Sequence, residues 1–174
     1  MTIETERLIL RSPRPGDAEP MFRNWASDPE VTKFLSWPAH SDIGVSQWVI
    51  DSWIKEEEGG EGILQLMIVP RELGEPIGTI SIVRFDREMG IAELGYCIGQ
   101  QWWHQGITTE ALKAVIAYLL ASHGISKVTA KHDVNNPHSG GVMRKAGMIF
   151  EGISEKGGVN NCGVCDVARY TIAR

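Results

Sequence analysis

The sequence predicts a mixed α/β domain around one central sheet. Three observations lead there: apolar spacing switches between helical and strand periods along the chain, three apolar runs follow one another in the middle, and no linker divides the whole. A length of 174 residues suits one core, so a single domain is drawn over 1–174. Hydrophobic residues at 43% against 22% charged give the chain enough apolar surface to fold unaided.

Residues 7–10 read as a short strand. After the breakers Pro13, Pro15 and Gly16, Asp17 is placed to cap a helix carrying Ala18, Met21, Phe22 and Trp25. A second helical region covers 31–35, breaks at Pro38 and resumes from Ser41 or Asp42, with Val45, Trp48, Val49 and Trp53 at three- and four-residue spacing. These helices are expected on one face of the sheet. The period then changes: 63–69, 76–85 and 91–98 are apolar, partly alternating runs separated by turn residues at 72–74 and 86–90, the marks of an antiparallel meander. Helical spacing returns from Thr108, with Ala111, Leu112, Val115, Ile116 and Leu119 on one stripe and Gly124 as the stop. Residues 127–130 read as a strand, a short helix starts near Asn136 and ends at Gly147, 148–150 is another strand, and 164–172 closes the order β-α-α-β-β-β-α-β-α-β-β.

Charge and composition exclude several functions. With 17 Lys and Arg against 22 Asp and Glu, the net charge of -5 argues against a nucleic-acid binder and suits an amine-bearing partner better. The strongly apolar stretch 114–121 is less than half the roughly 20 residues a membrane-spanning helix needs, and Met1 opens no basic-then-apolar signal, so a cytoplasmic protein without a membrane partner is expected. Cys97, Cys162 and Cys165 form no even framework. The CxxC at 162–165 leads into a strand, where a redox CxxC would open a helix, and zinc-spaced partners are missing; incidental loop thiols and no metal are expected.

Two stretches carry chemistry. In AELGYCIGQQWWHQGITTEAL, residues 92–112, a buried-type strand runs through a polar loop straight into a helix. The first amides of such a helix lack intrahelical acceptors and its dipole favours negative charge, so a pyrophosphate fits there. Gly106 allows close backbone approach, while Thr108 and Thr109 offer hydroxyls and caps. Many Gly-Xaa-Thr-Thr segments do no more than cap a helix, and this stretch alone admits both readings. Neither GxxxxGK[ST] nor GxGxxG is present, which excludes the P-loop and the dinucleotide fingerprint. In NPHSGGVMRKAGMIF, residues 136–150, Asn136 stands at the cap, Pro137 at the first helical position and Ser139 at the third. Beside a cofactor, Asn136 and Ser139 are suited to hold an amide or a thiol.

Together these stretches resemble the GNAT superfamily of N-acetyltransferases, in the branch of the Rim-type ribosomal-protein N-terminal acetyltransferases. ETERLILRSPRPGDAEPMFRNWASDPEVTKFLSW resembles that branch's TERLxLR opening and following helices, WWHQGITTEAL its pyrophosphate loop and helix, and NPHSGGVMRKAGM its NxxSxxVxxKxGF segment. The resemblance spans nearly the whole chain. It implies a central, mostly antiparallel sheet with helices on both faces, and acetyl-CoA as co-substrate. It further implies that the backbone of Trp103, His104, Gln105, Gly106, Ile107, Thr108 and Thr109 binds the CoA pyrophosphate. The strand edge at Tyr96, Cys97 and Ile98 would pair with the pantetheine arm, and Asn136 would hydrogen-bond the cofactor. Departures are present. Trp103 stands where Gln or Arg is frequent, Met148 where Phe is usual, and Gly140 and Gly141 put two poor helix formers in the first turns of their helix, at about 1 kcal/mol each relative to Ala. Many members protonate the departing thiolate with a tyrosine seven residues after the helix-starting Asn, and Met143 occupies that position here. In the Rim-type branch Ser139 fills the role by position.

Acetyl transfer needs a neutral amine. At pH 7 deprotonation costs about 1 kcal/mol for an α-amine and roughly 4 to 5 for a lysine, so an α-amine asks less of the protein. Glu93, mid-strand between Ala92 and Leu94, is the candidate base, directly or through water; the other reading is a rim carboxylate paired with a cation. Trp37, with Trp102 and Trp103, is a candidate wall of the acceptor pocket, and His104, His132 and His138 are assigned no catalytic role. The expected activity is transfer of an acetyl group to a peptide N-terminal α-amine by a monomer or homodimer. The alternatives are a small-amine acetyltransferase, acting on a polyamine or an antibiotic, and a non-catalytic acyl-CoA-binding module.

Overall fold

The computed structural model describes residues 1–59, 64–122 and 124–174. Strands β1 (Thr2–Glu4) and β2 (Leu8–Arg11) open the chain and pair antiparallel, Ile3 opposite Leu10. The first of these, three residues at the sheet edge, has no apolar alternation to announce it. A helical segment follows: a 3-10 turn (Pro15–Asp17), α1 (Ala18–Met21) and a π-helical stretch (Phe22–Ala26). Asp17 does not cap α1 with its side chain. Its carboxylate instead accepts from Nη1 and Nη2 of Arg11 at 2.7 Å each and from the Arg14 amide at 2.8 Å, and the buried ion pair with Arg11 pins the segment to β2. Helix α2 (Pro29–Thr32) starts two residues before the apolar pattern does, because Asp28 accepts from the Glu30 amide and Pro29 takes the first position. Helix α3 (Ile43–Glu58) is capped by Asp42, which accepts from the Gly44 amide at 2.8 Å.

The meander is β3 (Gln65–Pro70), β4 (Gly78–Asp86) and β5 (Ile91–Ile98). Ile63, expected at its start, lies outside the described residues. Then come α4 (Ile107–Ala121), β6 (Lys127–Asp133), α5 (Pro137–Lys145), β7 (Ile149–Asn160) and β8 (Gly163–Ala173). The sheet order is β1-β2-β3-β4-β5-β6-β8-β7, with every pair antiparallel except β5 and β6. Expected over three residues, β7 runs for twelve; its side chains are mostly exposed, and its register slips between Ser154 and Gly158, so no alternation marks it.

Alternation along the strands divides the core between two faces. Leu66 and Ile68 of β3 join Leu112, Val115 and Met143 on the side of α4 and α5, while Met67 and Val69 join Met21, Trp25 and Ile50 on the side of α1 to α3. The parallel pair positions the site. Residues Ile91 to Leu94 pair with Lys127 to Ala130, and beyond them the two strands part, β5 running on to Ile98 and β6 to Asp133. Each leads into a helix, so the N-termini of α4 and α5 both face the opening. Ligands of open α/β sheets bind at such a break, outside the carboxyl ends of the strands.

Candidate active site

A cleft of about 600 Å³ opens between the parted ends of β5 and β6. The structure brings Tyr96, Cys97, Ile98, Trp103, His104, Gly106, Ile107, Thr108, Thr109, Asn136 and Ser139 to its wall. Among the described residues, Gln105, Glu93 and Trp37 are sequence candidates that do not line it.

One end is built by the loop into α4. Gly106, at φ +77°, is the residue before the helix, and as a glycine it has no side chain to cap the amides that follow. Ile107, Thr108 and Thr109 contribute the first helical amides, for which a helix supplies no acceptor. Glu110 is the first whose amide finds one, at Gly106 O, 3.0 Å. Thr108 and Thr109 therefore sit inside the first turn and cap nothing. His104 is also left-handed, at φ +62°, so two of the three residues before the helix turn the backbone sharply.

Several bonds hold this loop. The Trp103 indole donates to Ile98 O at 2.9 Å, which fills the position where Gln or Arg is frequent with a structural pin. Arg7 donates through Nη1 to Gln105 O at 3.1 Å and through Nε to Glu110 Oε2 at 2.6 Å. Thr5 Oγ1 and the Arg7 amide both donate to Glu110 Oε1, at 2.6 and 3.0 Å. Desolvation pushes the Glu110 carboxyl up, and the bonds from Thr5 and Arg7 outweigh it, leaving it below the usual carboxylate range. Sequence reading missed this trio. Glu110 stands 105 and 103 positions from Thr5 and Arg7, and no local pattern joins them.

The other end is the start of α5. Asn136 holds the cap position, but its side chain makes no cap hydrogen bond and stays on the cleft wall. Gly140 is there for space: a Cβ would collide with His132 Nε2, so its absence lets α5 lie against β6. Ser139 meets Tyr96, whose Oη is 3.0 Å from both the Ser139 carbonyl oxygen and Oγ. Burial pushes the Tyr96 phenol well above its ordinary range, so it keeps its proton. Across the opening, the His104 and His138 rings meet edge to face at 4.8 Å and bridge the two helix starts.

Glu93 alternates with Leu94 and so faces the side of α1 to α3. Its carboxylate, 14% exposed, lies 2.9 Å from Lys131 Nζ, and Lys131 is the member of the pair that reaches the cleft wall. The carboxylate is thus ion-paired at the sheet, on the side where the cleft is bordered by Glu30, Val31, Lys33, Phe34 and Leu35. No ligand motif marked that segment in the sequence. The β7–β8 turn clasps it: the Asn161 amide donates to Leu35 O at 3.1 Å, and Asn161 Nδ2 to Thr32 O and Trp37 O at 2.8 Å each. Trp37 lies behind this border, its ring 5.2 Å from that of His40. The thiols of Cys162 and Cys165 are free, the former exposed in the turn. Among the described residues, no group of three His, Cys, Asp or Glu side chains could hold a metal ion.

Comparison with known proteins agrees with this geometry. Residues 7–149 match the GNAT acetyltransferase domain. The chain is 31% identical over 152 residues to the N-acetyltransferase p20 of Bacillus licheniformis, covering 87% of this chain and 84% of the relative. It is 31% identical over 109 residues to the ribosomal-protein-serine acetyltransferase of Escherichia coli, covering 63% and 60%. Among solved structures, the microcin C7 self-immunity acetyltransferase MccE, crystallised with acetyl-CoA and AMP, superposes with a TM-score of 0.88 over 98% of this chain and 94% of that one, at 23% identity, a likeness of fold. A mostly antiparallel sheet split at its parallel pair, a domain match over most of the chain and a relative above 30% identity agree, and the chain belongs to the GNAT family of acetyltransferases.

Proposed function

We propose that the protein transfers the acetyl group of acetyl-CoA to the α-amine of a protein or peptide N-terminus in the cytoplasm. The observation that carries this reading is the pair of helix N-termini at the parted strands, free amides at one end of the cleft and the Ser139 hydroxyl at the other. In it, the backbone from Trp103 to Thr109 holds the pyrophosphate, the β5 edge at Tyr96, Cys97 and Ile98 pairs with the pantetheine arm, and Asn136 binds an amide of that arm. The thioester then lies beside Ser139. The amine lone pair attacks the carbonyl carbon, the C–N bond forms and the C–S bond breaks, while Ser139 hydrogen-bonds the departing sulfur. Glu93 takes the amine's proton through water, since its carboxylate is ion-paired at the sheet on the acceptor side. A protein acceptor is supported by the relative from Escherichia coli, a ribosomal-protein-serine acetyltransferase, and an α-amine by its smaller deprotonation cost.

The test is free-thiol release from acetyl-CoA in the presence of a panel of peptides and small amines. Peptides with free N-termini are expected to release CoA, and Glu93→Gln to slow release near pH 7 and to recover as pH approaches the pKa of the acceptor. Thermal stabilisation by CoA with no release to any amine would overturn the enzyme in favour of a binding module.

A further inference from the structure

Tyr96 comes from β5 and Ser139 from the first turn of α5, and their polar atoms meet in the cleft wall. The phenol has one proton, the Ser139 carbonyl only accepts, and the serine hydroxyl does either. With Oη at 3.0 Å from both Ser139 oxygens, two arrangements satisfy the group. In the first, the phenol donates to the carbonyl and the serine hydroxyl donates to Oη, so both protons are spent inside the pair and the cleft receives only a lone pair. In the second, the phenol donates to Oγ and the serine proton is free to point into the cleft. A sulfur gathering negative charge requires a donor, which favours the second arrangement.

We propose that Tyr96 is a positioning residue for acetyl transfer, its phenol turning from the Ser139 carbonyl to the Ser139 hydroxyl oxygen and so freeing the serine proton to hydrogen-bond the departing CoA sulfur. This rests on the reading of Ser139 as the group beside that sulfur. No proton changes owner in the step; the phenol keeps its own, as its burial requires, and the sulfur is protonated later from solvent. Chained donors polarise one another, so a serine that receives a hydrogen bond gives a stronger one. The chain also has a place for such a device: Met143, at the position of the usual tyrosine donor, is 1% exposed within the core and has no proton to offer. A ring needed only for packing would serve equally well as phenylalanine.

A double-mutant cycle on the purified protein tests this, with kcat, the KM for acetyl-CoA and CoA affinity measured for Tyr96→Phe, Ser139→Ala and the pair. Tyr96→Phe is expected to lower kcat about 10-fold, the loss of roughly one hydrogen bond, with CoA affinity within about twofold. Ser139→Ala is expected to lower it about 100-fold, and the double variant to be no slower than Ser139→Ala alone. A wild-type kcat for Tyr96→Phe, or a double variant as slow as the product of the two single losses, overturns the positioning role. A wild-type kcat for Ser139→Ala overturns the reading of Ser139 itself. Should Tyr96→Phe fail to fold, 3-fluorotyrosine at position 96 keeps the shape with a stronger donor. Its kcat is expected to rise with Ser139 present and to stay level with Ser139→Ala, and no rise with Ser139 present counts against the proposal.

Discussion

Glu110 shows how a residue that does not line the cleft fixes the geometry of a loop in its wall. Its carboxylate gathers Thr5 and Arg7, and Arg7 passes the constraint to the Gln105 carbonyl next to Gly106. Because its folded pKa lies below the ordinary range, the stability it contributes is present above the unfolded carboxylate pKa and lost as pH falls through the folded one. Glu110→Gln is therefore expected to cost about 1 kcal/mol at pH 7, given the partial exposure of Arg7, and the melting temperatures of variant and parent should converge in acid. A difference that persists unchanged to low pH would assign the loss to packing. Gly106 and Ser139 stand in local patterns that single them out in the sequence, and the structure brings both to the cleft wall. The pairing of Glu110 with Arg7 was not legible there, and for Glu93 the sequence allowed a cation partner without naming Lys131, because each partner comes from a distant part of the chain that only tertiary folding brings near.

At the scale of the element, α5 shows the same divide. Its ends could be read: Asn136 and Pro137 begin it, and Gly147 at φ +89° ends it, with the Met148 amide returning to Met143 O at 3.1 Å and the Gly147 amide to Arg144 O at 3.0 Å. The reason for its paired glycines could not, since it lies in β6. A Cβ at Gly140 would collide with His132, whereas one at Gly141 would meet only the flexible end of Arg144 at 4.0 Å. Gly141→Ala in the ligand-free protein is accordingly expected to raise the melting temperature by about 2 to 4 °C, the effect of about 1 kcal/mol of helix propensity in a domain of this size. Gly140→Ala should lower it. Equal shifts from the two would mean that propensity alone governs this helix. Strand β7 was legible only at its first residues, because a mostly exposed, glycine-interrupted strand has no buried face to impose alternation.

For the whole molecule, the element order from β3 onward followed from periodicity, but β1 and the sheet order did not. The decisive feature, where β5 and β6 part, depends on a parallel pairing between strands separated by α4, and nothing in either strand records how far it extends. That parting turns a continuous sheet into a cleft and brings two helix N-termini to one opening. The border of the cleft at residues 30–35 is likewise tied by Asn161 of the β7–β8 turn, more than a hundred positions away in sequence. Acetyl transfer to a peptide α-amine is tested by mass spectrometry of peptides carrying both a free N-terminus and an internal lysine after incubation with the protein and acetyl-CoA. One acetyl group on the α-amine, with the lysine unmodified and no product when the N-terminus is blocked, is the predicted result. Acetylation of the lysine, or no transfer at any α-amine while a small amine is acetylated, would contradict it.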